Sequence, residues 1–135
     1  DDTLDGGAGS DTASYAGASG AVTVDLEAGT ASGADGNDSL TSIENVIGGD
    51  GNDVLYGDNP ADADDAEGWA DTFVFDDDDG QDKVFDFESG LDRILLTSGG
   101  TYTLAYGGDH STLRYGGSTV KFYDEIVSSS DILFV

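Results

Sequence analysis

Gly48-Gly49-Asp50-Gly51-Asn52-Asp53-Val54-Leu55-Tyr56 decides how this chain is read. It fits the nonapeptide G-G-x-G-x-D-x-U-x, with U apolar, at every fixed position. Gly6-Gly7-Ala8-Gly9-Ser10-Asp11-Thr12-Ala13-Ser14 fits with Ala13 at the apolar place, and Gly33-Ala34-Asp35-Gly36-Asn37-Asp38-Ser39-Leu40-Thr41 fits with Ala34 for the second Gly. Asp2-Thr3-Leu4-Asp5 reads as the tail of an earlier unit. The register also holds between the matches. Asp2 to Asp11 is nine residues, Asp11 to Asp38 is 27 and Asp53 to Asp71 is 18.

Each unit has a physical logic. Glycines admit positive φ, so the first six residues turn tightly with carbonyls inward. The sixth residue adds a carboxylate, and the last three are extended with the eighth, Leu40 or Leu55, in the core. Two units make one coil, so units 18 residues apart are expected to stack. The expected fold is all-β, a parallel β-roll capped by a C-terminal antiparallel region. Asp38 to Asp53 is only 15 residues, with Ile43 and Val46 between them. A shortened coil there places the turns of Asp38, Asp53 and Asp71 in one stack, with Asp11 on the opposite side.

Charge says what must lie between such turns. Residues 1–82 hold 22 acids and no Lys or Arg, whereas residues 83–135 hold seven acids and all four bases. Two carboxylates ~5 Å apart repel by about 1 kcal/mol in water and by several times that at lower effective dielectric. A fold that gathers them needs cations. Ca²⁺ suits the gap because it takes 6–8 oxygens from carboxylates and carbonyls. Candidate ligands are the carboxylates of Asp11, Asp38, Asp53, Asp71, Asp82, Asp86 and Asp92, with the turns of Gly36, Gly49 and Gly51 supplying carbonyls.

Other readings of the same residues fail. An EF-hand needs Glu at its twelfth loop position, where Asp35 and Asp50 lead to Val46 and Ala61. No Lys follows Gly48–Gly51 as a phosphate loop would require, and the net charge of −25 disfavours nucleic acid and anionic membrane. Cysteine is absent, which excludes disulfides and thiolate metal sites. No apolar run reaches the ~20 residues that span a bilayer. No zinc-protease helix, nucleophile elbow or Ser/His/Asp set occurs, so the chain is not expected to be an enzyme.

Val22–Leu26 alternates as a half-buried strand, and residues 15–32 replace one coil. Asn59 to Glu67 reads as an excursion loop, Trp69 as packing at the roll edge, and Asp76–Asp79 as a solvated turn. Ala70–Phe75 is a strand with Phe73 and Phe75 on one face. Tyr102–Tyr106, Ser111–Tyr115 and Ser118–Tyr123 read as antiparallel strands turned at Gly107-Gly108 and Gly116-Gly117, with His110 in a turn. The division is therefore a roll over 1–96 and a β cap over 97–135, one structural unit. Residue 1 falls inside a repeat, so a larger parent with a missing N-terminal domain is expected.

The nonapeptides resemble those of RTX (repeats-in-toxin) proteins. Ala70-Asp71-Thr72-Phe73-Val74-Phe75 and Asp86-Phe87…Gly90-Leu91-Asp92-Arg93-Ile94 resemble the C-terminal β-roll region of serralysin-type metalloproteases, and the ending Asp131-Ile132-Leu133-Phe134-Val135 resembles a type I secretion signal. The resemblance implies several bound Ca²⁺ ions and export through type I secretion machinery from a Gram-negative bacterium. Folding would then be triggered by external Ca²⁺, at affinities of about 10⁻⁴–10⁻³ M. Two other roles fit the same residues: a structural roll of an adhesin or surface-layer protein, and an accessory domain of a secreted protease, lipase or polysaccharide-modifying enzyme.

Overall fold

The computed structural model describes residues 1–57, 70–77, 79–98, 100–123 and 125–135. The expected loop at Asn59–Glu67, Trp69 and Asp78 of the acidic run lie outside these. The strands are β1 (Thr3–Asp5), β2 (Thr12–Ser14), β3 (Val22–Asp25), β4 (Thr30–Gly33), β5 (Gly36–Thr41), β6 (Asn45–Ile47) and β7 (Val54–Tyr56). They continue with β8 (Thr72–Phe75), β9 (Gln81–Phe85), β10 (Arg93–Leu96), β11 (Tyr102–Gly107), β12 (His110–Tyr115), β13 (Ser118–Tyr123) and β14 (Ile132–Phe134).

These strands form two sheets. A long sheet runs β1-β5-β4-β3-β7-β9-β13-β12-β11 and a short one β14-β10-β8-β6-β2. From β6 to β10 successive strands alternate between the sheets, and strands that return to a sheet pair in parallel. This is the parallel β-roll. Its repeat unit is local, since each coil adds one apolar residue to each sheet's inner face. Ala13, Val46, Phe73, Ile94 and Ile132 are cross-strand partners along the short sheet. Val24, Leu55, Val84 and Phe122 do the same along the long sheet. Seven of these nine, besides Ala13 and Ile132, are large side chains 0 % exposed, and each contributes roughly 1.5–3 kcal/mol of burial.

Several expectations hold. Leu40, Ile43 and Val46 line the core, Val22 and Val24 are buried with Thr23 exposed between them, and Phe73 and Phe75 share the inner face. β11, β12 and β13 are antiparallel. Their two-residue turns are Gly108-Asp109 and Gly116-Gly117, and His110 begins β12 rather than lying in the turn. The segment after residue 96 also extends the roll itself, because β13 pairs in parallel with β9 and β14 with β10.

Two expectations are corrected. The first is the 18-residue stacking interval. Asp53 stacks on Asp82, 29 residues on, with one strand of each sheet, β7 and β8, in the chain between them. The second concerns Gly33–Thr41, which is no half-turn of the roll. Gly33 pairs with Gly36 across Ala34-Asp35, making β4 and β5 an antiparallel hairpin. Positive φ at both glycines (144° and 115°) permits this tight reversal. β3 is likewise antiparallel to β4, so residues 15–32 supply a hairpin to the long sheet rather than a whole coil.

Candidate metal-binding turns

One contact recurs at five of the coil junctions. The residue at or just before the start of a strand donates its amide to the carboxylate at the same register in the following coil. Asp2 donates to Asp38 Oδ1 (2.7 Å), Asp11 to Glu44 Oε2 (2.8 Å) and Val22 to Asp53 Oδ1 (2.9 Å). Asp53 donates to Asp82 Oδ1 and Asp71 to Asp92 Oδ1, both at 3.0 Å. Parallel pairing leaves this amide without a main-chain acceptor, and the carboxylate satisfies it. The repeat Asp is therefore a rung between coils as well as a candidate ligand.

The rungs fall on two edges of the roll. Where the chain enters the long sheet, the turns before β7 and β9 bring together Asp50, Asp53, Asp79 and Asp82. Glycine makes the approach possible. A Cβ on Gly51 would lie 2.6 Å from the Ala21 nitrogen, and one on Gly80 2.5 Å from the Gly51 carbonyl oxygen. Gly49, at φ 99°, sits against the Tyr15 carbonyl. Asn52 Oδ1 accepts the Gln81 amide (2.9 Å), and Asp79 accepts the amide of Asp76.

The electrostatics of this edge are those of carboxylates packed together. Burial, with the charges of Asp53 and Asp79, pushes Asp82 up to about 7 against the lowering effect of the Asp53 amide. Asp79 rises to about 6, mainly by burial, with Asp76, Asp50 and Asp53 adding to it. Burial and Asp50 also raise Asp53. Asp82 Oδ2 is buried without a hydrogen-bond partner among the described residues.

Where the chain enters the short sheet, the order is Asp11, Glu44, Asp71, Asp92, Asp131, carried by the β2-β6-β8-β10-β14 pairing. Asp11 Oδ2 is also buried and without a hydrogen-bond partner among the described residues. Asp71 packs its carboxylate against Gly57, where a Cβ would come within 2.5 Å. Burial, and then the charge of Glu88, raise Asp92 to about 6 against the amides of Glu88 and Asp71. Asp131 behaves in the opposite way. Burial alone would raise it, but the Ser89 hydroxyl (2.7 Å) and the amides of Ser128 (2.8 Å) and Gly90 (3.0 Å) hold it low.

The expected stack of Asp38, Asp53 and Asp71 is therefore corrected. Asp53 and Asp71 precede strands of different sheets and lie at opposite edges. Asp38 stacks on Asp2, and its other oxygen accepts the Tyr15 hydroxyl at 3.1 Å. Gly36 lies against Asp1. Asp86 is exposed, at φ 60° beyond the end of β9, in the turn that leads to β10, where its carbonyl and the Asp71 carboxylate lie against the same glycine, Gly57. The structure thus groups Gly49, Gly51, Asp53 and Asp82 at one edge and Asp11, Asp71 and Asp92 along the other.

Sequence reasoning passed over Asp50, Asp79, Glu44 and Asp131. A signal for the first two was present: Asp-Gly-x-Asp occurs at Asp35–Asp38, Asp50–Asp53 and Asp79–Asp82. Reading Asp76–Asp79 as a solvated run hid its last member, which is only 5 % exposed.

These turns fit Ca²⁺ on their own chemistry. Buried carboxylate oxygens that lack a hydrogen-bond donor need a positive charge, and main-chain carbonyls lie against the glycines beside them. Among the described residues no three carboxylate or imidazole groups close on one point. An ion here must therefore complete its shell from carbonyls, as Ca²⁺ does and thiolate- or imidazole-seeking metals do not.

A parallel roll with carboxylate rungs at both edges defines a β-roll repeat protein. Residues 3–133 match the family described as Peptidase M10 serralysin C terminal, and the chain belongs to it. A solved structure with the same fold is the extracellular lipase LipA from Serratia marcescens, at 22 % identity and a TM-score of 0.53. All of this chain is covered in that match, but only 20 % of the lipase. No curated protein matches the chain.

Proposed function

We propose that this chain is a calcium-dependent folding module, serving secretion of a larger extracellular protein and performing no chemistry of its own. The observation that carries this reading is Asp82. Its carboxylate is 3 % exposed, one oxygen lacks a donor among the described residues, and Asp53 and Asp79 press on it. Ca²⁺ would supply the missing positive charge, held by the Asp82 carboxylate and completed by main-chain carbonyls of the neighbouring glycine turns. Asp11, Asp71 and Asp92 would serve along the other edge. Binding only the folded state drives folding by mass action. Where Ca²⁺ is scarce, the acid-rich residues 1–82 repel one another and the chain stays extended enough to thread an export channel. Membership in a family of serralysin C-terminal regions supports the secretion role and a location outside the cell.

The test is far-UV circular dichroism of the chain in EGTA, then with Ca²⁺ added. The β signal is expected to vanish in EGTA and return at millimolar Ca²⁺, but not with Na⁺ at equal ionic strength. An unchanged spectrum in EGTA overturns the reading.

A further inference from the structure

Over β9, β13 and β12 the outer face of the long sheet gathers bases, while the acids of that face, Asp5 and Asp25, lie farther along it on β1 and β3. The chain has 29 acids and four bases. Three of those bases, Lys83, Arg114 and Lys121, lie on this one face, on the adjacent strands β9, β12 and β13. Their inward neighbours Asp82, Val84, Leu113, Tyr115, Val120 and Phe122 are buried, so alternation turns the bases outward.

Lys83 and Lys121 are direct cross-strand partners. Like charges placed opposite each other destabilise a sheet, and acids to separate them are plentiful in this composition. The ion pairs among the described residues are the chain's first amine with Asp38 (3.7 Å) and His110 with Asp109 (3.1 Å), neither involving these lysines. Asp109, at the β11–β12 turn, is engaged by His110 Nδ1 at 3.1 Å.

Beside the lysines runs an aromatic row. Tyr56 stacks on Phe85 (4.9 Å, 15°) and Phe85 on Tyr123 (4.7 Å, 7°), with Lys121 Nζ 4.5 Å over the Tyr123 ring. This row fixes the strands' outer side chains and holds Lys121 in place. On the other side Gln81, Thr119, Arg114 and Thr103 form a polar row in register across four strands. A chain-like ligand crossing the strands would thus meet a cation or a polar group at each of β9, β13 and β12.

The geometry points to this face as a docking surface for a linear anionic polysaccharide, whose acidic groups seat on Lys83, Lys121 and Arg114 while its hydroxyls meet the Gln and Thr side chains. Charge complementarity selects an anion. The evenly spaced polar row favours a polyol chain over a nucleic acid, whose dense phosphates the acidic turns would repel.

The test titrates the calcium-saturated chain by calorimetry with a short oligouronate, a neutral gluco-oligosaccharide and a single-stranded oligonucleotide. The oligouronate is expected to bind, more weakly as NaCl rises, and the other two not to. Lys83→Glu/Lys121→Glu should weaken binding by about tenfold or more, with the β signal and calcium midpoint unchanged. Lys83→Gln/Lys121→Gln serves the same purpose if the charge reversal unfolds the sheet, and Lys83→Arg/Lys121→Arg should retain binding. Oligouronate affinity that ignores these variants means bridging by Ca²⁺ at the acidic turns and overturns the proposal. So does no binding, or an oligonucleotide that binds as well.

Discussion

The amide of Asp53 donates to Asp82 Oδ1 at 3.0 Å across 29 residues of chain. Asp53 in turn accepts the Val22 amide at 2.9 Å, so one residue joins three consecutive strands of the long sheet. A carboxylate in this position ties coils together and gathers like charges along the same edge.

Asp82→Asn separates the two effects. The amide oxygen can still accept the Asp53 amide, while a buried negative charge is removed. Without metal the variant is expected to keep its β signal to a higher pH than the parent chain. With metal its calcium midpoint should move to higher concentration, by about tenfold for a lost charged ligand. Paired calcium titrations and metal-free pH series, both by circular dichroism, read both signs. An unmoved calcium midpoint would remove Asp82 from the ligand set.

Acid should partly substitute for calcium. Asp82 is raised to about 7 and Asp79 and Asp92 to about 6 in the folded chain, from an ordinary value of 3.8. The folded state therefore binds protons more tightly than the unfolded one. Its stability without metal is greatest below the unfolded value and is lost as pH rises through about 6–7. In EGTA, β signal is expected near pH 4 and its loss toward pH 8. With saturating Ca²⁺ the curve should flatten. Far-UV spectra across that range, with and without metal, check both halves.

Gly51→Ala should destabilise the calcium-loaded roll by roughly 1–3 kcal/mol, because its Cβ would lie 2.6 Å from the Ala21 nitrogen. Gly17→Ala is the control, since nothing lies within 4 Å of that position. Urea midpoints at saturating Ca²⁺ should differ between the two variants. Equal midpoints would mean that the coils can move apart at Gly51.

Phe73→Ala removes a ring that is 0 % exposed, at the centre of the short sheet between Val46 and Ile94. The expected loss is about 3–5 kcal/mol, from transfer and cavity together. Leu133→Ala, on the exposed face of β14, should change stability far less. The comparison is by thermal melts in calcium.

Sequence by itself determined the roll, its short-period apolar core and the glycines and carboxylates at its turns. Those features are local, since a nonapeptide carries its own glycine bends, carboxylate and core residue. Tertiary structure alone decided which turn lies on which. Strand pairing depends on how much chain intervenes, and the 18-residue interval gave way to the 29 residues between Asp53 and Asp82. The same Gly-x-x-Gly spacing made a hairpin at Gly33–Gly36, which joins β4 to β5 within the long sheet, and a roll turn at Gly48–Gly51, which carries the chain from β6 in the short sheet to β7 in the long one. Whether an aspartate is satisfied by hydrogen bonds, like Asp131, or left with an unpartnered oxygen, like Asp82, depends on which amides the neighbouring coils bring to it.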